Sequence, residues 1–269
     1  MQEVSVGLEA GGYRLEAVLV EEWMSSIWRV VHIQQQAPFL LKRLRSGLAK
    51  DANIHQQFLS ETQLQRVVQH PHIIPVVDVV DTPAVTGLIM PWMAGENLAD
   101  HLHRCAPLPP PQAIRWCQQL LSALSVLHSH GICYRHLKPA EIILCDGVLQ
   151  VDVQTPRSDR LFRQTTSRND EFYAYMSPEE STTIDSDHRV DIFSVGAILF
   201  EMLTGRYAFD GTTGDVLTTI RSGVAPALGD HRADLPASLA DVVACALAFD
   251  PADRFATAAA FSQALGVVA

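Results

Sequence analysis

No stretch of this sequence is apolar for long enough to cross a bilayer. The longest apolar run near a helix, Ile192 to Phe200, falls far short of the roughly 20 residues that a spanning helix needs. The amino end, MQEVSVGLEAGGYRL, lacks a basic start followed by an apolar core, so no secretory leader is expected there. Cysteine is sparse. Cys105, Cys117, Cys133, Cys145 and Cys245 are widely spaced, odd in number and without a CxxC pair. They read as small apolar side chains in a reducing compartment rather than a disulfide framework. Metal-ligand spacing is also missing. His70 and His72, His101 and His103, and His128 and His130 lie close in sequence, but none has an HExxH or paired-cysteine setting. Basic charge is short as well: 20 Lys and Arg stand against 30 Asp and Glu, a formal net charge of -10 without a basic stripe. Nucleic acid and anionic membrane surfaces are therefore poor partners.

What is present is the material of a folded domain. The chain has 269 residues, 48% hydrophobic and 19% charged, enough to bury a sizeable core. Strand composition marks Tyr13 to Val20, Ile27 to Ile33 and Phe39 to Arg43. Asp51 to Gln69 carries apolar residues at helical spacing (Ile54, Phe58, Leu64, Val68) until Pro71 stops it. Val76 to Val80 and Leu88 to Trp92 are two further strands. After Gly95 the pattern turns helical: Pro110 to Leu127 with proline at its start, Val190 to Leu203, and segments near Asp215–Arg221, Pro236–Leu247 and Ala256–Leu265. Short strands are expected at Ile142–Leu144 and Leu149–Val151. There is no internal repeat and no low-complexity linker. Five strands with one helix, then mostly helix, predict an α+β plan with two lobes.

Eight strings in register then resemble one family, the eukaryotic-like (bacterial Hanks-type) Ser/Thr protein kinases. "FLLKRL" places Lys42 at the family's phosphate lysine, and "FLSETQL" places Glu61 at its helical partner. "LIMPWMAGENL" resembles the hinge, where Pro91 would offer its carbonyl and Met93 its N–H to adenine. "GICYRHLKPAEIIL" resembles the catalytic loop, "VDVQ" the metal-binding DFG with Asp152, and "YMSPEE" the APE. "RVDIFSVGAILFEMLTGRYAFDG" and "DPADRFATAAAF" resemble the central buried helix and the last helix, with Arg254 opposite Glu179. The resemblance covers about residues 13 to 268. It implies a bilobal kinase fold: a five-stranded antiparallel sheet plus one helix over 13–93 including the hinge, a mainly helical lobe over 94–268, and a tail at 1–12.

The departures fall on the chemistry. Val20, Glu22 and Ser25 occupy the three glycine positions of the phosphate loop. Those glycines let backbone N–H groups approach phosphate without a Cβ in the way. Glu22 brings a negative charge, and two like unit charges about 4 Å apart repel by roughly 4 kcal/mol at an effective dielectric near 20. Trp23 or Met24 would fill the space; the alternative is a plain β-hairpin with a different turn. His136 replaces the aspartate that accepts the substrate hydroxyl proton, with Lys138 nearby, and Glu141 replaces the metal-binding asparagine. Val153 and Gln154 replace the phenylalanine and glycine of DFG. By contrast Arg135, Asp191, Glu179 and Arg254, which hold the family's carboxyl-terminal lobe together, all match.

The resemblance with these departures implies a pseudokinase. It would bind a protein partner in the cytoplasm: an active kinase, a phosphopeptide-binding module or a larger signalling assembly. No nucleic acid, no membrane insertion and no cofactor are required. Two alternatives stay open. One is an atypical ATP-dependent Ser/Thr kinase using Lys42, Asp152, Glu141 and His136, with magnesium or manganese on Asp152 and Glu141. The other is a non-catalytic ATP sensor. Thr165, Thr166 and Ser167 are candidate phosphorylation sites that Arg135 could receive; the alternative is a solvated loop with Arg135 held by Asp170 or Glu171.

Overall fold

The computed structural model describes residues 4–21, 24–151, 173–181, 186–211, 213–222 and 224–268, with the backbone alone at Glu61, Leu64, Ser181, Thr213 and Asp215. The chain forms two compact units that part between Ala94 and Gly95.

Unit 1 is built on an antiparallel sheet of order β1-β2-β3-β4-β6-β5. The strands are β1 Glu9–Ala10, β2 Tyr13–Glu21, β3 Ser25–His32, β4 Pro38–Leu44, β5 Asp78–Asp81 and β6 Thr86–Pro91. Five of these are the expected strands. The sixth, β1, comes from the Gly11–Gly12 pair. Both glycines have positive φ, 57° and 87°, as a two-residue hairpin turn demands. Ala10 then pairs with Tyr13, and Leu15 N–H donates to the Leu8 carbonyl at 2.9 Å. One face of the sheet is sealed by Leu15, Trp28, Val30, Leu41, Val80, Val85 and Ile89. Alternation along the strands turns these residues to one side. Between β4 and β5 run a single helical turn, α1 Ser46–Ala49, and the longer α2 Ala52–Val67. Asp51 starts α2 by accepting the N–H groups of Asn53 and Ile54 at 2.9 and 3.2 Å.

Unit 2 opens with β7 Glu96–Asn97, which joins β8 Ile142–Cys145 and β9 Val148–Val151 in a three-stranded sheet. Between β7 and β8 run α3 Leu98–Cys105 and α4 Pro110–Ser129. The centre of the unit is α5 Arg189–Thr204, buried from Val190 to Phe200 without a break. A helix apolar on every face has to be enclosed on every face. α4 packs along it, and so does α8 Ala237–Ala246; α9 Ala258–Val268 packs against both α4 and α8. Two shorter helices, α6 Thr213–Ser222 and α7 Leu228–His231, precede α8. α5 ends where Gly205 takes φ 70°, donating its N–H to the Glu201 carbonyl at 2.8 Å. No helix among the described residues is long and apolar enough to cross a membrane.

Candidate functional site

The residues singled out by sequence fall in both units, and each group stands on its own elements. In unit 1, Lys42 lies in β4 opposite Ile27 and Leu88 and is only 2% exposed. A lysine this buried keeps its charge only in paired surroundings. Glu61 lies in α2, and its side chain is outside the described residues. Met90 is buried at the end of β6, followed by the half-buried Pro91 and Met93. The Arg29 guanidinium sits 5.4 Å from the ring centroid of Trp92 between them.

The β2–β3 ladder shifts register between Leu15 and Ala17 and again between Val18 and Val20, and then pairs on to the strand ends. Val20 pairs with Ile27 and Glu21 with Ser26, and Ser25 pairs across to Leu44. Glu21 makes a 2.6 Å ion pair with Arg45. The Arg45 N–H donates to the Met24 carbonyl at 2.9 Å. The strand ends are thus tied to the start of α1, and Met24 is buried. Glu22 and Trp23 lie outside the described residues. Val20 and Ser25 carry Cβ atoms within paired strands, so this part of the chain does not reproduce a glycine cradle for phosphate.

In unit 2 the segment Tyr134–Arg135–His136 turns sharply, with Arg135 and His136 at φ 58° and 52°. Non-glycine residues hold this left-handed conformation only when neighbours over-determine it. Asp191, fully buried in the first turn of α5, does so. Its carboxylate accepts the Tyr134 N–H at 2.8 Å and the Arg135 N–H at 2.6 Å. His128 Nε2 lies 2.7 Å from the same carboxylate. The Arg135 guanidinium donates to the Ser186 carbonyl at 3.4 Å.

His136 is held from the other side. Its backbone N–H donates to Glu180 Oε1 at 3.3 Å, and its Nδ1 lies 3.2 Å from that oxygen. Glu180 Oε2 accepts the Ser177 N–H at 2.9 Å and the Ser177 hydroxyl at 2.8 Å. The two side chains are 7% and 3% exposed. Burial pushes the Glu180 carboxyl up to about 7; the Ser177 bonds oppose this, and the charges of Asp191 and Glu179 add to it. Lys138 precedes a 3-10 turn that contains Glu141, and both are half-buried. Asp152, Thr165, Thr166, Ser167, Asp170 and Glu171 lie outside the described residues.

Glu180 gives the fold a pH dependence. Its folded pKa lies above the ordinary carboxylate value, so the folded chain binds the extra proton between about pH 4.5 and 7. The associated stability is present below that window and is lost as pH rises through it. Urea unfolding at pH 5 and pH 7.5 should show a fall for the natural chain and a flatter profile for Glu180→Gln. An unchanged slope would remove Glu180 as the cause.

Sequence reasoning placed Glu179 but passed over its neighbour Glu180. The only signal was a second acid in "YMSPEE", where the preceding residues are apolar or small. It also missed His128 as a partner of Asp191, taking the histidine pairs only as rejected metal sites.

A sheet-rich amino-terminal lobe and a helical carboxyl-terminal lobe, with the lysine on the third long strand and a left-handed loop pinned to the central helix, define a protein kinase fold. The chain matches the family described as protein kinase domain over residues 23–265 and belongs to it. It is 27% identical over 263 residues to the serine/threonine-protein kinase PknH of Mycobacterium tuberculosis, covering 96% of this chain and 42% of PknH. It is 30% identical over 257 residues to PknB of Mycobacterium leprae, covering 92% of this chain and 41% of PknB. The chain thus spans less than half the length of these curated relatives. Among solved structures, the PknI kinase domain of Mycobacterium tuberculosis superposes with a TM-score of 0.76 at 25% identity, over 100% of both chains. Rad53 1–466 in complex with AMP-PNP gives 0.78 at 21% identity, over 94% of this chain and 64% of that one, a likeness of fold alone.

Proposed function

We propose that this kinase-like domain is a pseudokinase, a cytoplasmic binding module that engages a protein partner through its folded surface and does not transfer phosphate. The observation that carries the reading is the state of residue 136. A general base must reach the proton it removes. Here the base position holds a histidine that is 8% exposed, with its Nδ1 3.2 Å from the carboxylate of a buried glutamate. Val20 and Ser25 support the same reading, because both lie in paired strands and carry side chains where a phosphate cradle would use glycine. The partner's chemistry is a protein surface: an active kinase, a phosphopeptide-binding module or a larger assembly.

A second reading has its own support. The family match and the buried Lys42 favour a phosphotransferase using Lys42, Asp152, Glu141 and His136; a nucleotide sensor would use the same lysine with the hinge. Thermal unfolding with ATP or ADP, each with and without magnesium or manganese, separates the three. A ligand at about 100 times its Kd adds roughly 2.7 kcal/mol to the folded state. The expected result is no shift of the midpoint at millimolar nucleotide and no labelled product from γ-labelled ATP. A metal-dependent shift without transfer, lost in Lys42→Met, would establish the sensor. Transfer to a protein hydroxyl, lost in the same variant, would overturn the pseudokinase reading.

A further inference from the structure

We propose that Glu180 is the residue that commits position 136 to histidine: the two form a buried acid–base couple, and a carboxylate at 136 is rejected by Glu180. The consequence is that restoring the family's aspartate with a single change, His136→Asp, damages the loop instead of reviving it, and that only the paired change His136→Asp with Glu180→Gln is tolerated. The geometry of unit 2 alone supports this, whether or not the domain binds nucleotide.

The geometry carries it in three steps. The same Glu180 oxygen faces both the backbone N–H and the ring Nδ1 of His136, at 3.3 and 3.2 Å. A side chain that begins at this left-handed backbone position therefore starts its path beside the Glu180 carboxylate. Glu180 cannot turn away, because Ser177 holds its other oxygen with two bonds of 2.9 and 2.8 Å. Water cannot screen the contact, since the two side chains are 7% and 3% exposed.

The surroundings offer an added carboxylate little relief. Among the described residues, the charges that bear on Glu180 are Asp191 at the start of α5 and its own chain neighbour Glu179. Glu179 is already engaged by Arg254 at 2.7 Å, and Asp191 faces His128 at 2.7 Å. The Arg135 side chain reaches to Ser186. Two carboxyl groups in such a place share one proton at low pH and repel when both ionise. Histidine avoids this in either charge state. Protonated, it pairs with the carboxylate; neutral, it adds no negative charge.

The test compares two isosteric residues at 136 in two backgrounds. His136→Asp and His136→Asn are each made with Glu180 intact and with Glu180→Gln, and unfolding midpoints are read at pH 5.5 and pH 8. With Glu180 intact, the Asp variant should melt several degrees below the Asn variant at pH 8, and this gap should shrink at pH 5.5. In the Glu180→Gln background, the gap should close at both values. A charge-independent structural role would not give a gap that depends on pH and on residue 180. A failure of the Asp variant to fold only where Glu180 is intact also supports the proposal. Equal gaps in both backgrounds, or failure of Asp in both while Asn folds, would overturn it. Failure of all four variants would overturn it too, because histidine would then be required for reasons other than Glu180.

Discussion

Arg254→Ala should lower the unfolding free energy by about 3–5 kcal/mol, the loss typical when one member of a buried ion pair is removed. In a chain of this size that corresponds to a fall in Tm on the order of 10 °C. The Arg254 side chain is fully buried, and each of its three guanidinium nitrogens donates. Nη1 and Nη2 grip the Glu179 carboxylate at 2.7 and 2.8 Å. Nε donates to the Ala248 carbonyl at 2.7 Å, Nη1 to the Arg189 carbonyl at 3.1 Å and Nη2 to that of Phe249 at 3.0 Å. The guanidinium also lies 4.9 Å from the Phe193 ring centroid. One side chain thus joins the start of α5, the turn after α8 and the segment carrying Glu179. Alanine would strand three backbone carbonyls and a mostly buried carboxylate together. Arg254→Lys should fail nearly as badly, because an ammonium cannot present the planar fork that satisfies these directions. Urea unfolding followed by circular dichroism provides the check. A loss below about 1 kcal/mol, the level of a surface pair, would mean that the lobe is not held here.

Asp191→Asn should cost about 2–4 kcal/mol and should loosen the loop as well, since hydrogen bonds to a buried charge are the strong kind and leaving donors unmatched adds the desolvation penalty. The substitution keeps the shape of the side chain but replaces one acceptor oxygen by a donor group. The natural carboxylate faces the Tyr134 and Arg135 N–H groups and His128 Nε2, all within 2.8 Å. Asparagine can serve one side of this arrangement and opposes the other. The backbone at Arg135 and His136 holds positive φ, a conformation that an L residue abandons when released. Amide hydrogen exchange should therefore speed up at Tyr134 and Arg135 beyond any global loss of stability. Unchanged protection of these two amides would show that the left-handed turn is held by something other than Asp191.

These two residues were legible before any coordinates, and Glu180 was not. Arg254 and Asp191 sit inside long strings whose order along the chain is itself informative: a buried helix preceded by a loop and followed by "DPADRF". The elements were legible for the same local reason. Strand composition between turns marked β2 to β6, apolar residues at helical spacing marked α2, and an apolar run marked α5. β1 escaped because two residues give no periodicity, although its Gly11–Gly12 turn was in plain view. α3 escaped for want of length, having only Leu98 and Leu102 as its buried stripe.

Residue order along the chain was enough to give a kinase fold with Arg254 opposite Glu179 in its carboxyl-terminal lobe, and its resemblance to the family implies substitutions at the glycine loop, the base and the asparagine. Those facts depend on residue identity and on order along the chain. What surrounds His136 came only from the packing of the folded chain. His136 and Glu180 are 44 positions apart. No local propensity links them, and an acid following an acid has no preferred face in a short turn. Only close packing, which excludes water and leaves each buried polar group a few ångströms in which to find a partner, brings that carboxylate to that ring.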